Sequence, residues 1–136
     1  MATDAEIKVH IEQLVANNLP RSPIYQFLLS GVKIHSATKG VIKARLSLTN
    51  NHLNSGGGIH GSVSATIVDW AGGMAIATWD MERFVSKTGV SVDIHVTYLS
   101  SAKDGDEIEI EAIAEKVGGS LAFTSCLLYT SDAADE

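Results

Sequence analysis

An acidic residue interrupts the most hydrophobic stretch of this sequence. The segment NSGGGIHGSVSATIVDWAGG, residues 54–73, sets three glycines and a histidine ahead of a long apolar run that carries one carboxylate, Asp69. Removing a carboxylate from water is costly, so Asp69 should have hydrogen-bond partners or face a wet cleft. A carboxylate held in this way can take part in catalysis. A structural or capping role is the alternative.

A second feature with chemical potential lies where this helix is expected to begin. His60 and Gly61 occupy that position, so free backbone N–H groups and the positive end of the helix dipole point at whatever lies there. Such an end can polarise a carbonyl or bind an anion. The GGG run at 56–58 lacks the Lys-Ser/Thr pair of a phosphate-binding P-loop, and simple turn flexibility explains it equally well.

The apolar pattern predicts one continuous helix over residues 61–79. Its other faces are apolar too, so the helix should be wrapped by other structure. The face around Asp69 is the exception, because it holds small and polar side chains that leave room for a ligand. The apolar stripe consists of Val63, Ile67, Trp70, Met74 and Ala77, and the Asp69 face of Ser62, Thr66 and Gly73.

The remaining patterns predict the elements that must position this helix. Helical spacing indicates an amphipathic helix at about residues 4–17. Alternation on both sides of Lys39-Gly40 indicates a β-hairpin. Three further strands are predicted at GVSVDIHVTYLS (89–100), EIEIEAIAEKV (107–117) and GGSLAFTSCLLY (118–129). Hairpin and meander connections favour an antiparallel sheet folded around the long helix, which is an α+β architecture.

Composition narrows the functional classes. The chain has 136 residues, enough for a single domain, and its net charge of -6 argues against general nucleic-acid binding. No apolar run is long enough to span a membrane. The single cysteine, Cys126, is compatible with a reducing cytoplasm, which is the expected location. The five histidines lack a metal-ligand spacing, so no metal is expected.

Two segments together resemble a known family. HLNSGGGIHGSVSATIVD (52–69) followed by GVSVDIHVTYLSSAKDGDEIEI (89–110) is similar to the small hotdog-fold acyl-CoA thioesterases of the thioesterase superfamily member two type and their bacterial phenylacetate-pathway relatives. The resemblance covers about residues 30–125. It implies a hotdog fold, in which an antiparallel sheet wraps one long central helix, and hydrolysis of acyl-CoA to a free acid and CoA without metal or cofactor.

The resemblance also implies roles for individual residues. Asp69 matches the acid that orients or activates the attacking water, and Ser91 matches a hydroxyl that helps to hold that water. Gly61 matches the backbone donor to the thioester oxygen. Asn54 and His60 match the polar pair that shapes this oxyanion pocket. Direct attack by the carboxylate stays open as a second mechanism.

A distance argument predicts self-association. Gly61 and Asp69 are eight residues apart on one helix, so their backbones are about 12 Å apart. A general base and an oxyanion donor must each come within about 3 Å of their reacting atoms. A two-fold dimer with antiparallel central helices would bring the two groups together. We therefore expect Asn54, His60 and Gly61 from one chain and Asp69 and Ser91 from its partner, in a dimer or a dimer of dimers.

Candidate substrate contacts follow from side-chain chemistry. Apolar residues of the helix could touch the acyl chain, although core packing is their default role. Basic residues could meet the CoA phosphates, although ordinary surface solvation is the alternative. The acyl candidates are Val63, Ile67 and Met74, and the phosphate candidates are Arg83, Lys87 and Lys103.

The end of the sequence has an unusual composition. CLLYTSDAADE, residues 126–136, resembles the translation of a sequencing-library adapter, so the expected domain is 1–125 followed by a non-native read-through tail. The family has a further strand after this point, inside its sheet, and its absence would leave backbone groups unpaired.

Two other functions remain possible from the sequence. One is a hotdog module that binds acyl-CoA without hydrolysing it. The other is a hotdog dehydratase, which needs a histidine base near the α-carbon of the substrate, and neither His52 nor His60 has the sequence setting of that base.

Overall fold

Three α-helices and four β-strands form residues 1–130, the part of the chain that this computed structural model describes. None of these helices is both long and apolar enough to cross a membrane. The predicted α+β architecture is confirmed. The helices are α1 (Asp4–Asn18), α2 (Pro23–Leu29) and α3 (Gly61–Ala77), the strands are β1 (Lys33–Thr38), β2 (Val41–Ser47), β3 (Glu107–Val117) and β4 (Ala122–Thr130), and short 3-10 turns lie at Leu19–Arg21 and Asn50–His52.

Helix α1 begins with a reciprocal cap. The Glu6 backbone N–H donates to Thr3 Oγ1 at 3.2 Å, and the Thr3 backbone N–H donates to Glu6 Oε1 at 3.1 Å. This arrangement satisfies two N–H groups that would otherwise have no partner at the helix start. The apolar face of this amphipathic helix is buried and consists of Ile7, Ile11 and Leu14. The helix predicted at residues 4–17 is thus confirmed.

The four strands form one antiparallel sheet in the order β1-β2-β3-β4. The hairpin between β1 and β2 turns at Gly40, whose φ of 89° is a conformation that favours glycine. In β2 the predicted alternation is observed, because Ile42, Ala44 and Leu46 are buried while the intervening side chains are exposed. The sheet therefore has one face turned to the core.

Helix α3 packs across β2, β3 and β4 and supplies much of the core. All five residues of its predicted apolar stripe are buried. The helix end is fixed to the sheet by two side chains. Thr78 Oγ1 accepts from the Gly40 N–H at 2.7 Å and donates to the Ala75 carbonyl at 2.6 Å. Trp79 Nε1 donates to the Ala114 carbonyl at 3.0 Å.

The prediction of a strand at residues 89–100 is wrong, because that segment forms neither helix nor strand. Its alternating pattern is typical of a strand, but a strand also needs a hydrogen-bonded neighbour. Among residues 1–130, strand β4 pairs only with β3, on one of its two sides. A cleft lies between its other side and residues 88–102. No strand follows β4 within residues 1–130, and a missing final strand stays a prediction. Residues 126–130 belong to β4, whereas the rest of the suspected tail lies outside the described residues.

We predict that Ile110→Ala destabilises the fold by about 2–5 kcal/mol, because it leaves a cavity at a core position that is 1% exposed. Urea denaturation measures the change. The matched control is Ile24→Ala at a position that is 57% exposed, which should change the free energy of unfolding by about 0.5 kcal/mol or less. Equal losses in the two variants would contradict the assigned core.

We predict that the backbone amides of residues 90–100 exchange with solvent much faster than those of β3. Amides without a hydrogen-bonded partner exchange through small local openings, whereas those of a central strand require wider unfolding. Hydrogen–deuterium exchange measured residue by residue tests this. Protection of residues 90–100 equal to that of β3 would show that the segment is paired.

Candidate active site

The carboxylate of Asp69 has a hydrogen-bond donor on each oxygen. Ser91 Oγ donates to Oδ1. The Tyr25 hydroxyl donates to Oδ2 at 2.8 Å. These two bonds offset the cost of removing the carboxylate from bulk water. The structure thus brings together Asp69 and Ser91, which the sequence analysis assigned to the same half of the site, and adds Tyr25.

Tyr25, on α2, is the residue that the sequence analysis missed. Burial raises the pKa of its hydroxyl well above the ordinary range, and the hydrogen bond to Asp69 and the charge of that carboxylate raise it further. The hydroxyl therefore remains protonated and remains a donor. One weak signal was present in the sequence, since a tyrosine within an apolar stretch such as IYQFLL needs a partner for its hydroxyl.

The start of α3 presents an unpaired amide. Among residues 1–130, no acceptor is found for the Gly61 N–H. The preceding residue, His60, caps the helix, because its Nδ1 accepts from the Ser62 N–H at 3.1 Å and lies 2.7 Å from Ser62 Oγ. Since a backbone N–H can only donate, Nδ1 is unprotonated and Nε2 carries the ring hydrogen. His60 thus orients the helix start.

Asn54 shapes the glycine loop that leads to this helix. Its Oδ1 accepts from the N–H groups of Gly56 at 2.9 Å and Gly58 at 3.2 Å, and its own N–H donates to the Gly58 carbonyl at 2.8 Å. These bonds close a tight turn in which Gly57 has a φ of 85°. Asn54 therefore fixes the backbone of the loop that leads to α3, and through it the position of the helix start.

His52 has a structural role. It is 4% exposed, its Nδ1 accepts from the Thr49 N–H at 2.9 Å, and its Nε2 lies 2.6 Å from the Leu28 carbonyl. This carbonyl can only accept, so Nε2 donates. Both ring nitrogens are thereby occupied, which leaves neither of them available as a base.

The segment after α3 runs back along the helix. The Tyr98 hydroxyl donates to the Gly61 carbonyl at 3.1 Å, while Ser91 bonds Asp69. A Cβ built on Gly73 would lie 2.8 Å from Thr88 Oγ1. Asp69 and the Gly61 amide are thus two separate sites on one continuous helix, about 12 Å apart by helical rise.

A cleft of about 1250 Å³ opens beside Asp69, and Tyr25 and Ser91 also line it. Its walls are α3, residues 88–102 and β4. Exposed apolar side chains face it, including Val92 at 83% and Phe123 at 58% exposure. Such a cleft suits a ligand with an apolar part.

Cys126 also lines the cleft but is not a nucleophile at neutral pH. Burial, followed by the charge of Glu111, raises the pKa of its thiol to about 12. The reactive form of a cysteine is the thiolate, so this thiol stays inert. Among the residues described, no cluster of three or more His, Cys, Asp or Glu side chains could hold a metal ion.

The predicted acyl contacts require correction. Val63 and Ile67 are 3% and 0% exposed and belong to the hydrophobic core, where they do not line the cleft. Helical spacing placed them on the stripe that meets the sheet, and burial there excludes contact with a ligand in the cleft. Met74 does line the cleft, but it is only 4% exposed.

The predicted phosphate contacts lie at opposite ends of α3. Arg83 donates to the carbonyls of Gly118 at 2.9 Å and Gly119 at 3.1 Å, so its guanidinium holds the turn between β3 and β4, and its role toward a phosphate stays a prediction. Lys87 adjoins Thr88, near the end of the helix. Lys103 forms a β-bridge with Gly58, near the helix start, and its side chain is exposed.

Comparison with known proteins identifies the family. The family model described as Thioesterase superfamily matches residues 56–135. Human acyl-coenzyme A thioesterase 13 is 38% identical over 101 residues, which cover 74% of this chain and 69% of the human protein. The zebra fish thioesterase superfamily member 2 structure has a TM-score of 0.77 and 32% identity, and covers 97% of this chain and 89% of its own.

A bacterial structure shares the fold at lower identity. The PaaI protein from the phenylacetic acid degradation operon of E. coli has a TM-score of 0.72 and 16% identity, over 93% of this chain and 86% of the bacterial one. The hotdog fold that the sequence predicted is therefore confirmed. The family-model match and the identity to acyl-coenzyme A thioesterase 13 show that this chain belongs to the thioesterase superfamily and is a thioester hydrolase.

Proposed function

We propose that the protein hydrolyses acyl-CoA to a free carboxylic acid and CoA, with Asp69 activating the attacking water. The observation that carries this proposal is the Asp69 carboxylate, which two donors hold at the wall of an apolar cleft. The names of the acyl-coenzyme A thioesterase 13 relatives support the substrate class. The acyl part would lie against the exposed apolar residues of the cleft.

The reaction would proceed by addition and elimination. Asp69 accepts a proton from a water molecule as the water oxygen attacks the carbonyl carbon of the thioester. Negative charge then develops on the carbonyl oxygen, where a hydrogen bond from the Gly61 N–H at the helix start stabilises it. The carbon–sulfur bond breaks, and CoA leaves as a thiolate that takes up the proton held by Asp69, which returns the carboxylate to its starting form.

Water attack is favoured over direct attack by the carboxylate. Donors on both oxygens hold the Asp69 carboxylate in place, and this opposes the movement toward a carbonyl carbon that direct attack requires. Each oxygen keeps a lone pair that can accept a proton from an intervening water molecule.

The two halves of the site would come from two chains. Asp69 and the Gly61 amide are about 12 Å apart along α3, too far for both to reach one thioester group. A two-fold dimer with antiparallel α3 helices would set Asp69, Ser91 and Tyr25 of one protomer beside the helix start of its partner and create two equivalent sites. The exposed Lys103, near that helix start, is then placed to meet a CoA phosphate.

We predict that Asp69→Asn lowers kcat for acyl-CoA hydrolysis by about 10²- to 10⁴-fold, because the amide cannot accept the proton of water. Release of the free thiol of CoA, measured over a panel of acyl chain lengths, gives the rate. Asp93→Asn, at another carboxylate that lines the cleft, is the matched control and should keep kcat within about threefold. Near-normal turnover by Asp69→Asn would remove Asp69 from the mechanism. Tight acyl-CoA binding without turnover by the unmodified chain would favour a binding module.

We predict that mixing Asp69→Asn and Asn54→Ala protomers in equal amounts restores about a quarter of the unmutated activity. Half of the dimers are then mixed, and each mixed dimer has one of its two sites intact. Subunit exchange is verified by mass spectrometry of differently labelled protomers. Complete exchange without any recovery of activity would contradict a shared site.

A further inference from the structure

We propose that Tyr25 is a positioning residue, which fixes the Asp69 carboxylate through the hydrogen bond from its hydroxyl to Oδ2. The bond is 2.8 Å long and joins residues 44 positions apart in the sequence. Its catalytic consequence rests on the function proposed above, whereas its effect on the carboxylate does not.

Helix α2 presents Tyr25 from a well-anchored position. Pro23 occupies the first turn, where its missing N–H costs nothing. Leu29, at the other end, is fully buried. The carbonyl of Leu28 accepts a hydrogen bond from the buried His52 ring at 2.6 Å. The short helix is thus tied both to the core and to the loop that leads to the start of α3.

The second donor to Asp69 has a different setting. Ser91 is exposed and lies in the segment 89–100, which forms neither helix nor strand. Tyr25 is more enclosed than Ser91 and belongs to a helix. A carboxylate held by one donor can turn about its Cβ–Cγ bond, whereas donors on separate oxygens from separate elements prevent that rotation. Tyr25 is therefore the firmer of the two restraints.

Tyr25→Phe tests the proposal, because it removes the hydroxyl and keeps the ring. Carboxyl-carbon NMR of the full chain at one neutral pH should show a clear change in the Asp69 carboxyl chemical shift, because Oδ2 loses its donor. Tyr129→Phe removes a hydroxyl from another wall of the cleft and should leave that signal in place. An unchanged Asp69 signal in Tyr25→Phe would overturn the proposal.

A second substitution covers the case in which Tyr25→Phe does not fold. Incorporation of 3-fluorotyrosine at Tyr25 gives a more acidic phenol and hence a stronger hydrogen bond, so the Asp69 carboxyl signal should shift from its position in the unmodified chain. An unmoved signal would count against the assigned role. Neither NMR measurement requires hydrolysis. Each therefore tests whether Tyr25 holds the Asp69 carboxylate, even if the chain has no activity on acyl-CoA.

Kinetics test the positioning role itself. Tyr25→Phe should lower kcat by about tenfold and keep KM within about twofold, because alignment is lost while substrate binding is not. In an Asp69→Asn background the same change should lower the residual rate by no more than about twofold. A full tenfold loss in both backgrounds would show that Tyr25 acts independently of Asp69. Absence of any hydrolysis by the unmutated chain would instead refute the proposed function.

Discussion

The structure depends on the burial of one apolar helix. Helix α3 carries apolar side chains on nearly every face, so it is stable only when the sheet and the other helices cover it. Thr78 and Trp79 fix its end to the hairpin and to β3. Because the sheet and the other helices do not fully cover α3 around Asp69, its carboxylate remains in contact with the cleft.

Local patterns were sufficient to predict most elements of the fold. The Gly40 turn and the hydrophobic periods of α1, α3, β2 and β3 depend on residues close together in the chain, so they can be predicted from local sequence. The segment 89–100 has equally regular alternation and still forms no strand, because a strand also depends on a neighbour that its own residues do not encode.

The same difference between local and long-range information applies to the candidate site. Asp69 was singled out as an acid in an apolar helix and Ser91 was matched through the family resemblance, and a hydrogen bond joins the two side chains. Tyr25 was missed because its contact with Asp69 depends on how α2 packs. Ile67 was assigned to the substrate although it faces the core, since periodicity identifies an apolar face but not what covers it.

One side of β4 has no strand partner within the described part of the chain, and this affects how the protein behaves in concentrated solution. A row of backbone donors and acceptors beside Phe123 and Leu127 is a template on which an extended segment of another molecule can add as a further strand. Such addition has no built-in limit, because each new strand presents an edge of its own. Resistance to aggregation thus depends on what covers this edge of the sheet, and not on the packing around α3 alone.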